Sequence, residues 1–215
     1  MEAVLTEAVA LLDEAGEPAL TFRALASRLG GGVASIYWYV SSKDELLDRA
    51  TDHVLGAVLS AIEEQPVGED PIDDLRTMAV LLFDAIVDRP WLAAYFMRNT
   101  DVQGNALRLY EKLGQQTLRL DLTARQRFHA VSAIVGFVVG TAADLGQQRP
   151  QEVLDGSVDR EEFLSRYTAT WRALDSEEFP FVHEIVDEFE GHDDADQFRA
   201  GLDLTLSGLR LQAGA

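Results

Sequence analysis

The placement of glycine in residues 21–43, Thr-Phe-Arg-Ala-Leu-Ala-Ser-Arg-Leu-Gly-Gly-Gly-Val-Ala-Ser-Ile-Tyr-Trp-Tyr-Val-Ser-Ser-Lys, constrains the fold of this chain most tightly. Phe22, Leu25, Ala26 and Leu29 recur at helical spacing and form one apolar stripe. Thr21 precedes them and suits an N-cap, because its hydroxyl can accept from a free N–H of the first turn. Gly30 follows the last apolar position, where helices often end in a left-handed residue that only glycine adopts cheaply. A second helix is expected from about Val33 to Tyr39. Val33, Ile36 and Tyr37 would face the first helix, leaving Gly32, Ala34, Ser35, Trp38 and Tyr39 partly outward. Two short helices hinged on such a turn make a helix-turn-helix. A helical hairpin used only for packing is the alternative.

Charge separates these readings. The chain carries 37 acidic residues in 215, yet none lies between Pro18 and Lys43, where Arg23, Arg28 and Lys43 are basic. A surface that must approach phosphates excludes carboxylates, since like charge raises the cost of contact. The formal charge of −19 argues against general nucleic-acid binding. Residues 1–50 hold 4 basic and 8 acidic residues and residues 151–215 hold 5 and 16, so the last third is repelled most. A DNA reader of this kind must turn its acid-free face to the duplex, bind weakly as a monomer and respond strongly to salt.

The rest of the chain reads as helix. Residues 2–15 form an amphipathic helix on Val4, Ala8, Leu11, Leu12 and Ala15, stopped by Gly16 and Pro18, which buttresses the helix-turn-helix. Ser42, with Glu45 three residues on, makes a capping box for a long helix over about 43–64, lined by Leu46, Leu47, Ala50, Val54, Ala57, Val58, Ala61 and Ile62. Residues 65–71, Gln-Pro-Val-Gly-Glu-Asp-Pro, are the clearest linker. Further helices are expected near 71–88, 91–98, 101–119, 123–147, 160–175, 178–190 and 194–211, with 150–159 a polar loop. The fold class is therefore all-α: a three-helix reading domain over 1–47, joined by a long helix to a helical domain over 48–215.

Residues 4–60 resemble the DNA-binding domain of the TetR family of bacterial transcriptional regulators. The likeness is carried by Ala19-Leu20-Thr21-Phe22-Arg23-Ala24-Leu25-Ala26-Ser27-Arg28-Leu29-Gly30 and by Ile36-Tyr37-Trp38-Tyr39-Val40, then Lys43 and Leu46. Gly31 stands where the family usually has an apolar residue, and Tyr39 where it often has His. The resemblance implies a homodimer that binds double-stranded DNA and answers to a small-molecule effector, usually as a repressor. It places Arg23 at a base edge, where a guanidinium fork matches the paired acceptors of guanine; a phosphate contact or a solvated charge is the alternative. Thr21 and Phe22 open the same helix. Gly32, Val33, Ala34 and Ser35 sit where the second helix should meet bases. Tyr37, Trp38, Tyr39 and Lys43 correspond to positions that touch the backbone or groove wall, although Tyr37 could equally pack inside the three-helix unit.

In the second domain an effector pocket is expected from aromatics and Met in excess of what a bundle core needs: Phe83, Trp91, Phe96, Met97, Tyr110, Phe137 and Trp171, with Arg98, Asn99, Gln103, His129, Ser132 and Thr141 as polar partners. Each could instead be ordinary core. Residues 128–143 are apolar nearly all round, and Ala133, Gly136, Gly140 and Ala143 make a small-residue strip. With Leu202, Leu206 and Leu209 of the last helix, this strip is expected to pair with its symmetry copy in a four-helix dimer interface. His183-Glu184 and Asp187 resemble half of a His-Glu-x-x-His zinc motif without its second His, so no metal site and no cofactor is expected. No nucleotide-binding or nucleophile-elbow motif occurs, and no enzyme activity is expected. With no cysteine, no signal-peptide pattern and no run of about 18 apolar residues, a cytoplasmic protein without a membrane span is expected. The competing function is a helical small-molecule-binding protein that does not bind DNA.

Overall fold

Helix α1, Glu2–Ala19, buries Val4, Ala8, Leu11 and Leu12, the stripe that its periodicity defines. It breaks at Gly16, whose φ of 68° and ψ of −175° are non-helical, so Pro18 begins a last turn that offers no donor the break would orphan. Helix α2, Phe22–Arg28, starts on Thr21, whose hydroxyl accepts from the Ala24 N–H at 3.1 Å. It ends in a left-handed Gly30 with φ of 66°. There the Gly31 N–H reaches back to the Ala26 carbonyl at 2.9 Å and the Gly30 N–H to the Ser27 carbonyl at 3.3 Å. These are the two bonds of a Schellman stop.

Helix α3, Val33–Ile36, is shorter than expected, since Tyr37, Trp38 and Tyr39 form a turn. Only Ile36 is buried within it; Val33 faces outward, contrary to the expectation that it packs on α2. Helix α4, Lys43–Glu63, is capped by Ser42, which accepts from the Glu45 N–H at 3.1 Å. The reciprocal bond falls one residue early: the Glu45 carboxylate accepts from the N–H and hydroxyl of Ser41 at 2.8 and 2.6 Å. Beyond the expected stripe, Leu55 and Leu59 are buried and Ala57 is exposed, because α4 is covered from two sides.

The computed structural model describes residues 1–96, 104–147, 151–154 and 156–214, and among these there is no strand. The chain packs as two compact units, residues 1–146 with 202–215, and residues 147–201. In the first, α4 packs against α1, α5 (Pro71–Asp88), α6 (Trp91–Phe96) and α7 (Gly104–Leu118). Helix α8, Ala124–Gln147, follows. The core of the reading end runs through Leu12, Leu20, Leu25, Ile36, Leu46 and Ala50, and reaches Tyr95 of α6. The segment 65–71 is tied down: the Arg119 guanidinium donates to Asp74 at 2.6 Å and to the Gly68 and Glu69 carbonyls at 2.6 and 3.0 Å.

The second unit contains α9 (Gln151–Leu154), α10 (Arg160–Arg172), α11 (Pro180–Glu190) and the start of α12 (Asp194–Ala213). The four-residue α9 lies where a polar loop was expected. Helices α10 and α11 are joined by Arg172, which donates to Asp187 at 2.6 Å and also to Glu190.

Candidate nucleic-acid interface and sensing half

The candidate reading surface is the corner between α2 and α3. The Phe22 ring meets Tyr37 edge-on, with centroids 4.9 Å apart at 82°, so one aromatic pair joins the two helices. Tyr37 is still 60% exposed and Trp38 88%, and Val33, Ala34, Ser35 and Tyr39 also face solvent. Gly32 is the N-cap of α3, and open space surrounds its missing Cβ. The Ser35 hydroxyl donates to the Gly32 carbonyl at 2.6 Å, so it has lone pairs but no proton to offer a ligand. A side chain at Gly31 would lie 3.2 Å from that hydroxyl; glycine here lets α3 close on its own first turn.

The three cations of the acid-free stretch divide sharply. Arg23 is exposed and has no ion-pair partner among the described residues. Arg28 is bound to the Glu14 carboxylate, with Glu7 3.7 Å away, and this contact holds the Glu14 carboxyl below its usual range. Lys43 donates to the Glu17 carbonyl at 2.8 Å and lies 3.3 Å from the Glu17 carboxylate. Sequence reasoning missed these three carboxylates. They lie outside the acid-free window, and only the folding of α1 across it brings them to its cations.

The expected effector residues do not form one constellation. Phe83 and Phe96 are buried and Phe137 is half-buried. Tyr110 is half-exposed, its hydroxyl 3.4 Å from that of Ser132, while His129 is exposed with its ring beside Phe128. Trp91 departs from the expectation: it packs against the amino-terminal core, and its indole N–H donates to Asp13 at 2.7 Å. Trp171 lies in the other unit, tilted over Phe189 at 4.5 Å and edge-on to Tyr167 at 5.6 Å. Met97, Arg98, Asn99 and Gln103 lie outside the described residues. A groove of about 410 Å³ runs along α4 and α7, lined by Leu59, Glu63, Leu107, Arg108, Glu111 and Lys112, none of them among the expected residues.

Helices α8 and α12 correct the expected pairing surface in part. Ala133, Gly136 and Gly140 are exposed and Ala143 is half-buried, and nothing lies within 4 Å of a Cβ built at either glycine. Leu202, Leu206 and Leu209 are instead buried inside the chain, so the apolar side chains that α12 presents outward are Leu204 and Leu211, each 77% exposed. Helix α8 is long and apolar enough to cross a membrane by length and composition alone, its most apolar 18 residues having a mean hydropathy of 1.6. His129 and Asp144 interrupt that stretch, so it is not an unbroken run of about 18 apolar residues. His183 bonds the Leu174 carbonyl at 2.9 Å, and Asp187 serves Arg172.

Comparison with known proteins fits this layout. The family described as "Bacterial regulatory proteins, tetR family" matches residues 4–50, and "Tetracyclin repressor-like, C-terminal domain" matches residues 65–213. The chain belongs to the TetR family of transcriptional regulators. As a TetR-family protein it is 28% identical over 211 residues to an HTH-type transcriptional regulator of Saccharopolyspora erythraea, covering 98% of this chain and 84% of that one. It is 28% identical over 219 residues to the HTH-type transcriptional repressor DrrR1 of Streptomyces coeruleorubidus, covering 98% and 77%. Among solved structures, the transcriptional regulator SCO7222, a TetR from Streptomyces coelicolor, shares 36% identity at a TM-score of 0.83 over 99% of this chain and 98% of that one. ActR of the same organism, solved in complex with actinorhodin, shares the fold at 22% identity and a TM-score of 0.80 over 100% and 98%. The helix-turn-helix of this TetR-family chain is thus a DNA-binding element, and the family consists of regulators rather than enzymes.

Proposed function

We propose that this protein is a cytoplasmic, ligand-responsive repressor that binds a palindromic operator as a homodimer and leaves it when a small-molecule effector binds. The observation that carries the reading is the outward, carboxylate-free corner of residues 21–39, on which Arg23 has no ion-pair partner among the described residues. In this reading residues 1–47 read DNA, and residues 48–215 sense the effector and pair the two copies. Arg23 offers its guanidinium fork to a guanine edge in the major groove. Val33, Ala34 and Ser35 approach neighbouring bases through short apolar contacts and the Ser35 lone pairs. Thr21, Phe22 and Gly32 set the corner, while Tyr37, Trp38, Tyr39 and Lys43 touch the backbone and hold register.

Two heads are needed because the surface is small and the chain is strongly acidic, so one head gains little from phosphates. The exposed strip of α8 supplies a face on which a second copy can sit. Effector binding has to favour a DNA-incompetent state by its differential affinity, and α4, which runs from the reading core to α5 and α7, is the element able to carry the shift.

The test is a titration of DNA flanking the protein's own gene and of random duplex, at low salt. Arg23→Ala should lose about 1–3 kcal/mol on the operator and less on random DNA. Equal losses on the two would remove Arg23 as a base reader, and no binding to any duplex would leave only a helical ligand-binding protein.

A further inference from the structure

Lys43 reaches the phosphates of the proposed operator from a side chain that is already engaged. Its ammonium group sits on the backbone carbonyl of Glu17 at 2.8 Å and beside that residue's carboxylate at 3.3 Å. The other oxygen of the same carboxylate accepts from the Tyr95 hydroxyl of α6 at 2.5 Å. Four residues before Glu17, Asp13 accepts from Arg89 at 3.1 Å and from Trp91 at 2.7 Å, so the start of α6 is fastened to α1 as well. One carboxylate thus joins a cation of the reading head to α6, which lies beyond residue 48.

We propose that Glu17 is a positioning residue that competes with DNA phosphate for Lys43, and that Tyr95 sets how strongly it competes. A hydrogen bond from Tyr95 draws charge onto one carboxylate oxygen and weakens the hold of the other on Lys43. With α6 seated, Lys43 exchanges readily to a phosphate. When α6 withdraws Tyr95, the carboxylate binds Lys43 more tightly and the head loses one phosphate contact. The coupling is direct, because Tyr95 of α6 is packed in the same core as α1. This proposal rests on the DNA-binding reading above.

A double-mutant cycle on the full-length protein tests it, with affinity for operator and random duplex measured across salt concentration. Glu17→Gln should tighten both by about threefold, the size of an exposed ion pair, and in a Lys43→Ala background its effect should fall to that of removing one distant charge, the size of the Glu2→Gln effect. Tyr95→Phe, which keeps the ring in the core, should weaken binding by about twofold, and this loss should vanish when Glu17→Gln is also present. Glu2→Gln, at the opposite end of α1, removes the same charge and should tighten binding less. Equal effects of Glu2→Gln and Glu17→Gln, or a Glu17→Gln effect undiminished by Lys43→Ala, would overturn the competition while leaving DNA binding intact. Failure of the wild-type protein to bind any duplex would overturn both.

Discussion

Glu45 shows how one side chain fixes the start of α4, the helix that runs from the reading core to α5 and α7. Its carboxylate accepts from the Ser41 hydroxyl and N–H, and from the Arg49 guanidinium at 2.8 Å. All of these bonds favour the charged form, and they pull its pKa from 4.5 to about 2, the Ser41 hydroxyl contributing most. The folded value lies below the unfolded one, so the unfolded chain binds the proton more readily. The stabilisation is fully present above about pH 4.5 and is lost as pH falls through about 2. The difference in unfolding midpoint between wild type and Glu45→Gln should therefore be constant near neutrality and shrink steadily from pH 4.5 to 2; a difference unchanged at pH 2 would assign it to packing instead. At this scale the sequence exposed the residue types but not their partners. The acid-free window was legible, yet the capture of Arg28 by Glu14 and of Lys43 by Glu17 joins residues 14 and 26 positions apart, and no local pattern encodes such pairs.

Helix ends were the most legible elements, because caps are local chemistry. Thr21 and Ser42 cap through their own side-chain oxygens as expected, Asp70 does so inside the segment expected only as a linker, and Gly30 makes the left-handed stop that its place after Leu29 demanded. What the periodicity could not resolve was shorter than a helical repeat: α3 ends at Ile36, and α9 is a single turn. Nor could it show that 65–71 is fastened, since the clamp comes from Arg119, about fifty residues later. Glycine substitutions make the element-scale argument measurable. At Gly30 a Cβ meets nothing within 4 Å, so Gly30→Ala suffers only its positive φ and should destabilise by about 1 kcal/mol. Gly114 lies inside α7 with equally open space, and Gly114→Ala should stabilise by about 1 kcal/mol. Denaturant midpoints that move in the same direction for both variants would contradict this account of the turn.

At the scale of the whole molecule, the surface with no cover in the single chain is apolar where the rest is acidic. Ala133, Gly136 and Gly140 of α8 lie open, as do Leu204 and Leu211 of α12, in a chain of net charge −19. The α8 strip could be read from the spacing of small residues. The α12 leucines could not be sorted, because Leu202, Leu206 and Leu209 share the composition of a contact face and differ only in packing inward. Small residues allow two helices to approach closely, and a carboxylate at their crossing would meet its own copy across a twofold axis. Gly140→Glu therefore separates folding from pairing. No heavy atom lies within 4 Å of the new Cβ, so the isolated chain can accept the side chain and its helical circular dichroism should match the wild type. Sedimentation equilibrium at micromolar concentration should show a monomer for the variant and the proposed dimer for the wild type. Operator affinity should fall by about a hundredfold or more, because each head alone has only its own half-site. A Gly140→Glu protein that remains dimeric and keeps its operator affinity would show that the two copies meet on another face.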